Sequence, residues 1–107
     1  MDNTLNLLGI AKKAGMIAIG GNDVSIATRK GTAKLILSAA DASERAVRRA
    51  HDGAKMCGAT YVALPYNQAE LGQMLGRGSP GTVAVLDAGL ASAFLKGLAT
   101  KSATGEE

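Results

Sequence analysis

The residues best suited to chemistry in this sequence stand together at Gly20-Gly21-Asn22-Asp23. Two adjacent glycines strip the side chains from a stretch of backbone, so a bulky ligand can approach it closely. Asn22 offers a donor and an acceptor on one amide, and Asp23 offers a carboxylate that can accept from N–H edges. The run that follows, as far as Gly31, reads as a helix of about residues 23–30. A helix start gathers free N–H groups and the positive end of the dipole. A phosphate or a nucleic-acid loop suits that combination. A plainer reading makes Asn22 or Asp23 the N-cap, a role worth about 1 kcal/mol, with Gly31 as the C-terminal cap.

Other chemistry finds less support. The Gly20-Gly21 turn lacks the three-glycine spacing of a dinucleotide fingerprint, and no P-loop Lys-Ser/Thr follows a glycine. His51 has no second His and no Cys at metal-ligand spacing, so a surface or capping role is expected and a metal site is not. Cys57, the one cysteine, excludes an internal disulfide and reads as a small buried hydrophobe at a helix end. The four Met residues read as core or edge filler. No Ser-His-Asp order or carboxylate pair stands out, so neither an enzyme nor a cofactor is expected.

These residues need a frame to hold them. With 107 residues, 47% hydrophobic and 3% aromatic, the chain suits a single domain whose core is Val, Leu, Ile, Ala and Met. A net charge of +3 permits an anionic partner without requiring one. No signal peptide and no membrane-length apolar run is read, so a soluble, cytoplasmic chain is expected.

The first helix has Asn3 or Thr4 as cap, Leu5, Leu8 and Ala11 or Lys12 at helical spacing, and Gly15 behind it. A strand at 16–19 precedes the Gly20 turn. Residues 34–39 form a continuous apolar run, as expected for the middle of a sheet covered on both faces. Asp41 or Ser43 then caps a third helix, in which Ala46, Val47, Ala50 and Ala54 face inward. Arg45, Arg48, Arg49, Asp52 and Lys55 make its solvated face.

A buried-type strand at 60–64 ends at Pro65, and a helix of about 68–75 turns Leu71, Met74 and Leu75 inward. After the loop 77–81 come a strand at 82–86 and a last helix, capped by Asp87, with Leu90, Phe94, Leu95 and Leu98 on its inner face. Alternating helices and strands with short connections predict an α/β fold, a mostly parallel or mixed four-stranded sheet between two helical layers. Residues 1–99 form the domain, and a frayed tail is expected over 100–107.

The run from Gly20 to Ala40, continued by Asp41-Ala42-Ser43, resembles the L-seven-Ae / L-thirty-e family of ribosomal and kink-turn RNA-binding proteins. It is most similar to the small bacterial YlxQ-like branch. Residues 70–76, followed by 82–87, match the family's helix, recognition loop and last strand, so the likeness covers about 5–98.

The resemblance implies a three-layer α/β/α sandwich gripping RNA at one end of its sheet. Sheared G·A pairs would meet Gly20, Gly21, Asn22 and Asp23, and a flipped-out base would lie under the loop from Gly76 to Thr82, which includes Arg77, Gly78 and Ser79. Structured RNA, either ribosomal or another kink-turn RNA, is the implied partner of a monomer associated with ribosomes and not with membranes. Distorted and unstacked elements are where RNA exposes its base edges.

Two departures stand out. The family usually places a Lys four residues after the Asn, where this chain has Ile26, so Arg29, Lys30 or Lys34 must supply the contact or it is lost. The loop 77–81 is glycine-rich and carries Arg77 where kink-turn binders often present apolar residues. A protein-interaction adaptor on the same fold, with little specific RNA affinity, is the alternative function.

Overall fold

The computed structural model describes residues 3–76, 78 and 80–105, and side chains only within 6–97. Asn3, Thr4, Leu5 and Leu98 as cap or core positions, and the side chains of the expected tail, therefore lie outside the described residues. Helix α1 spans Asn3–Lys13. Lys12 reaches across from its last turn and donates to the Leu75 carbonyl at the end of another helix, a match of ammonium to the negative end of a dipole.

Strand β1 (Ile17–Ile19) leads into α2 (Gly21–Lys30), which ends on Gly31 at φ 73°. Gly31 and Thr32 donate to the Thr28 and Ala27 carbonyls and close that helix. Strand β2 (Leu35–Ser38) follows, then α3 (Glu44–Cys57). The Ser43 hydroxyl caps α3 by accepting from the Ala46 N–H at 3.1 Å. Asp41, the other candidate for that cap, instead accepts from the Gln68 N–H at 2.8 Å.

Strand β3 (Thr60–Ala63) and α4 (Gln68–Leu75) come next, with Asn67 and Glu70 forming a reciprocal capping box. Asp41 therefore places a second carboxylate at the start of α4 and ties the β2–α3 turn to it. Strand β4 (Thr82–Val85) and α5 (Ala88–Gly105) complete the chain, Asp87 accepting from the Leu90 N–H at 2.9 Å. The helix runs past Thr100, where the sequence reading starts a tail. The segment from Leu98 to Thr104 is free of Pro and Gly and therefore offers no stop signal.

The sheet order is β1-β4-β2-β3, with β2 and β3 parallel and the other two pairs antiparallel. The sheet is thus mixed, with antiparallel pairs in the majority. β2 and β4 are central and buried along their whole length, as the apolar run predicts for β2. β3 is corrected from a buried strand to an edge strand with both ends exposed. It has one strand neighbour, so only its middle is covered.

Strand alternation divides the core in two. Leu35, Leu37, Val83 and Val85 face Leu8 of α1, Leu71 of α4 and Phe94 of α5. On the opposite face, Ile36 and Ala84 meet Val24 and Ala27 of α2 and Ala50 and Ala54 of α3. The result is the expected three-layer sandwich. The first core is built of Leu and Phe, whereas the second is largely Ala, so α2 and α3 lie close to the sheet and to each other.

Their closest approach is at Gly53, where a Cβ would stand 3.0 Å from Thr28 Cγ2. Cys57 is half-buried against this second core, less enclosed than expected. His51 stays on the surface with its ring edge-on to Tyr61 at 5.4 Å. Met56 is 71% exposed and Met16 is 40% exposed, so of the core or edge positions expected for the Met residues neither takes the core.

Gly53→Val should therefore force α2 and α3 apart and cost about 1–3 kcal/mol, the usual range for overpacking a tight contact. Urea unfolding monitored by circular dichroism measures it, and an unchanged midpoint would mean that the two helices separate freely.

Candidate nucleic-acid interface

β1 and β2 run in the same direction because each pairs antiparallel with β4, so both end where β4 begins. At that end the Gly20 N–H donates to the Thr82 carbonyl and the Ala39 N–H to the Gly81 carbonyl, each at 2.9 Å. The Ala40 N–H donates to the Tyr66 carbonyl at 2.7 Å, which draws the β3–α4 turn to the same place. Four connections thus meet at one end of the sheet. A Cβ at Gly81 would there meet Ala42 and Ala46, before and within the first turn of α3, at ordinary van der Waals distance.

The two glycines of the β1–α2 turn have different roles. Gly20 has φ 92° and ψ 158°, a region open in practice only to glycine, and it occupies the N-cap position. Gly21 is the first helical residue, with ordinary φ and open space around a hypothetical Cβ. Gly20 is therefore required by the backbone, whereas nothing in the fold requires Gly21.

This geometry corrects the plainer reading of Asn22 and Asp23. The helix begins two residues before the expected Asp23, and Gly20, which has no side chain to accept a bond, is its cap. Asn22 and Asp23 lie inside the first turn, and neither side chain has a hydrogen-bond or ion-pair partner among the described residues. Asn22 is exposed and Asp23 half-buried. The first N–H groups of α2 likewise receive no side-chain cap. An amide, a carboxylate, free N–H donors and a bare Gly21 backbone are presented together.

The exposed surface of α2 has two sides. Asn22, Ser25 and Arg29, at helical spacing, line a groove of about 560 Å³ shared with Arg49 and Met56 of α3. Asp23, Ile26 and Lys30 share the other side by the same spacing, and Ile26 is 37% exposed. Of the cations expected to help Asn22, Arg29 stands further along the groove and Lys30 ends the helix.

Lys34 is not part of this end. Its N–H donates to the Val85 carbonyl, which places it where β4 finishes, at the opposite end of the sheet. Its separation from Asn22 follows from strand direction, which residue spacing does not reveal. Gly78 sits at φ 21° in the loop before β4, and Arg77 and Ser79 lie outside the described residues.

The sequence reading set Arg49 in a solvated face, with binding of a second RNA segment or a ribosomal surface as the alternative for that stripe. Arg49 lines the 560 Å³ groove and also a smaller pocket of about 70 Å³ bounded by Gly21, Ala46, Ala50 and Thr82. The available signal was its position three residues after Ala46 and next to Ala50, on the border of the apolar stripe. Among the described residues, no three His, Cys, Asp or Glu side chains are grouped to hold a metal, and no helix is long and apolar enough to cross a membrane.

Residues 2–94 match the Ribosomal protein L7Ae/L30e/S12e/Gadd45 family. The chain belongs to that family, whose ribosomal type is RNA-binding and not enzymatic. Among solved structures it is similar to a protein of unknown function from Bacillus halodurans, with TM-score 0.81 and 23% identity over 91% of this chain and 97% of that one. That likeness concerns the fold.

The different roles of Gly20 and Gly21 can be measured. Gly20→Ala should destabilise the protein by about 1–3 kcal/mol through backbone strain alone. Gly21→Ala should leave thermal stability unchanged or slightly raised, since Ala is the better helix former. Equal losses from both changes, seen in parallel thermal melts, would contradict the assignment of strain to Gly20.

Proposed function

We propose that this chain binds structured RNA of the kink-turn type at the β1–α2 turn, as a cytoplasmic, ribosome-associated monomer. The observation that carries the reading is that Asn22 and Asp23 do not cap the helix they begin. Polar side chains freed from a structural role, on a rigid helix turn beside bare backbone, are suited to reading base edges. The Asn22 amide can pair with one edge as donor and acceptor, and the Asp23 carboxylate can accept from guanine N1–H and N2–H₂. Such edges are accessible where RNA is sharply bent and its pairs are sheared.

The loop before β4 is the natural cover for an unstacked base, because Thr82 is hydrogen-bonded to Gly20 of the turn and Gly81 to Ala39 at the end of the neighbouring β2. Binding then acts by selection. Whatever free energy separates the kinked from the straight RNA in their affinity for the protein shifts the bend equilibrium by that amount.

One observation favours a second reading, a protein-interaction adaptor. Ile26 presents an apolar side chain on the exposed side of α2, where an RNA reader gains more from a cation.

A titration against a kink-turn RNA and a straight duplex of equal length, at two salt concentrations, separates the two. Preference for the kinked RNA that survives the higher salt is the expected result, since base contacts release few counterions. No binding to either RNA would favour the adaptor. The double variant Asn22→Ala/Asp23→Ala should lose about 1–3 kcal/mol for each base contact removed while melting near the wild-type temperature. Unchanged affinity in that variant would remove the turn from the interface.

A further inference from the structure

The groove between α2 and α3 begins beside the β1–α2 turn and is walled by two facing stripes, Asn22, Ser25 and Arg29 on α2 and Arg49, Asp52 and Met56 on α3. Both helices start from the end of the sheet where the turn lies, so residue order gives position along the groove. Gly21, Asn22, Ser25 and Arg49 form its near end. Thr28, Arg29, Asp52 and Gly53 follow, with the close contact of Gly53 on Thr28 as the floor.

Arg29 and Asp52 lie in the same stretch with opposite charge. Arg49 stands one helical turn before Asp52 on α3, nearer the β1–α2 turn. Among the described residues its guanidinium has no ion-pair or hydrogen-bond partner, and it lines the groove together with Gly21, whose missing side chain leaves the backbone open. Ser25 adds a hydroxyl to this near end. A cation, a hydroxyl and adjacent helix-start N–H groups are donors suited to phosphate oxygens.

We propose that the near end of this groove holds the phosphate backbone of the RNA strand leaving the bend, with Arg49 as its principal contact. The inference rests on the proposed RNA-binding function and adds a second contact region to it. It also relocates the charge that Ile26 lacks. The cation comes from α3, on the Ser25 side of Asn22, and not from α2 or from Lys34.

The test is to titrate wild-type protein, Arg49→Gln and Asn22→Ala with the kink-turn RNA and the straight duplex across a series of salt concentrations. Arg49→Gln should bind the kinked RNA about tenfold more weakly, with a log K against log salt slope reduced by about 0.7–0.9, the release of one counterion. Asn22→Ala should lose discrimination between the RNAs and keep the wild-type slope. Ethylation interference on the same RNA should show phosphates that block the wild type and no longer affect Arg49→Gln.

Wild-type affinity and slope in Arg49→Gln, alongside a weakened Asn22→Ala, would overturn the groove and leave the proposed function standing. Equal wild-type binding to both RNAs, with Arg49→Gln still flattening the slope, would support the groove and overturn kink recognition. Binding to neither RNA would overturn both.

Discussion

The arrangement depends on the insertion of β4 between β1 and β2, antiparallel to both. Its four residues are buried throughout and paired on both edges, Val83 with Ile19 and Leu37 and Val85 with Ile17 and Leu35. Without β4, β1 would have no strand partner at all. A shift of one residue would turn Val83 and Val85 towards α2 and α3, which lie too close to the sheet over their small Ala side chains to admit them. Because β4 enters where β1 and β2 leave, one set of backbone bonds sets the register of the sheet and brings the loop before β4 to the start of α2. The candidate interface is thus a consequence of strand direction.

The two unequal cores extend this constraint to the surface. Leu and Phe fill the side of α1, α4 and α5, and those helices stand off the sheet by the thickness of large side chains. On the other side Ala27, Ala50 and Ala54, with Gly53 against Thr28, let α2 and α3 approach closely. Small residues at the contact leave a shallow groove above it, and the long side chains that would otherwise cover it are displaced to its rims. Arg49 lines that groove because of the Ala packing beneath it. A contact surface formed this way inherits the rigidity of the core.

Much of this was legible in the sequence. The helices and strands follow from apolar spacing, and Gly31, Gly58 and Gly76 all close helices in the left-handed conformation expected of glycine. The start of α2 was less legible, since Asn and Asp are the favoured caps and the pattern cannot show that Gly20 already occupies the position with a dihedral they would not adopt. Strand order was not legible either. An apolar run such as that of β3 reads alike at the edge and in the centre of a sheet. The distance of Lys34 from Asn22 was hidden for the same reason: it depends on which ends of the strands meet.

In the proposed site, discrimination between bent and straight RNA would rest on Asp23. Near a polyanion a carboxylate is unfavourable, and with a net charge of only +3 the chain has little general attraction to overcome it. A straight duplex would bring phosphates towards Asp23 without offering it a donor. A sheared pair turns guanine N–H groups outward, and those can offset the loss of solvation and the repulsion together. On the proposed function the carboxylate would penalise the straight form more than it favours the bent one, which is how specificity arises without high affinity. The cation that holds the backbone must then stand to one side of Asp23, where it neither pairs with the carboxylate nor blocks it. Arg49, reaching in from α3 on the far side of Asn22, has that placement.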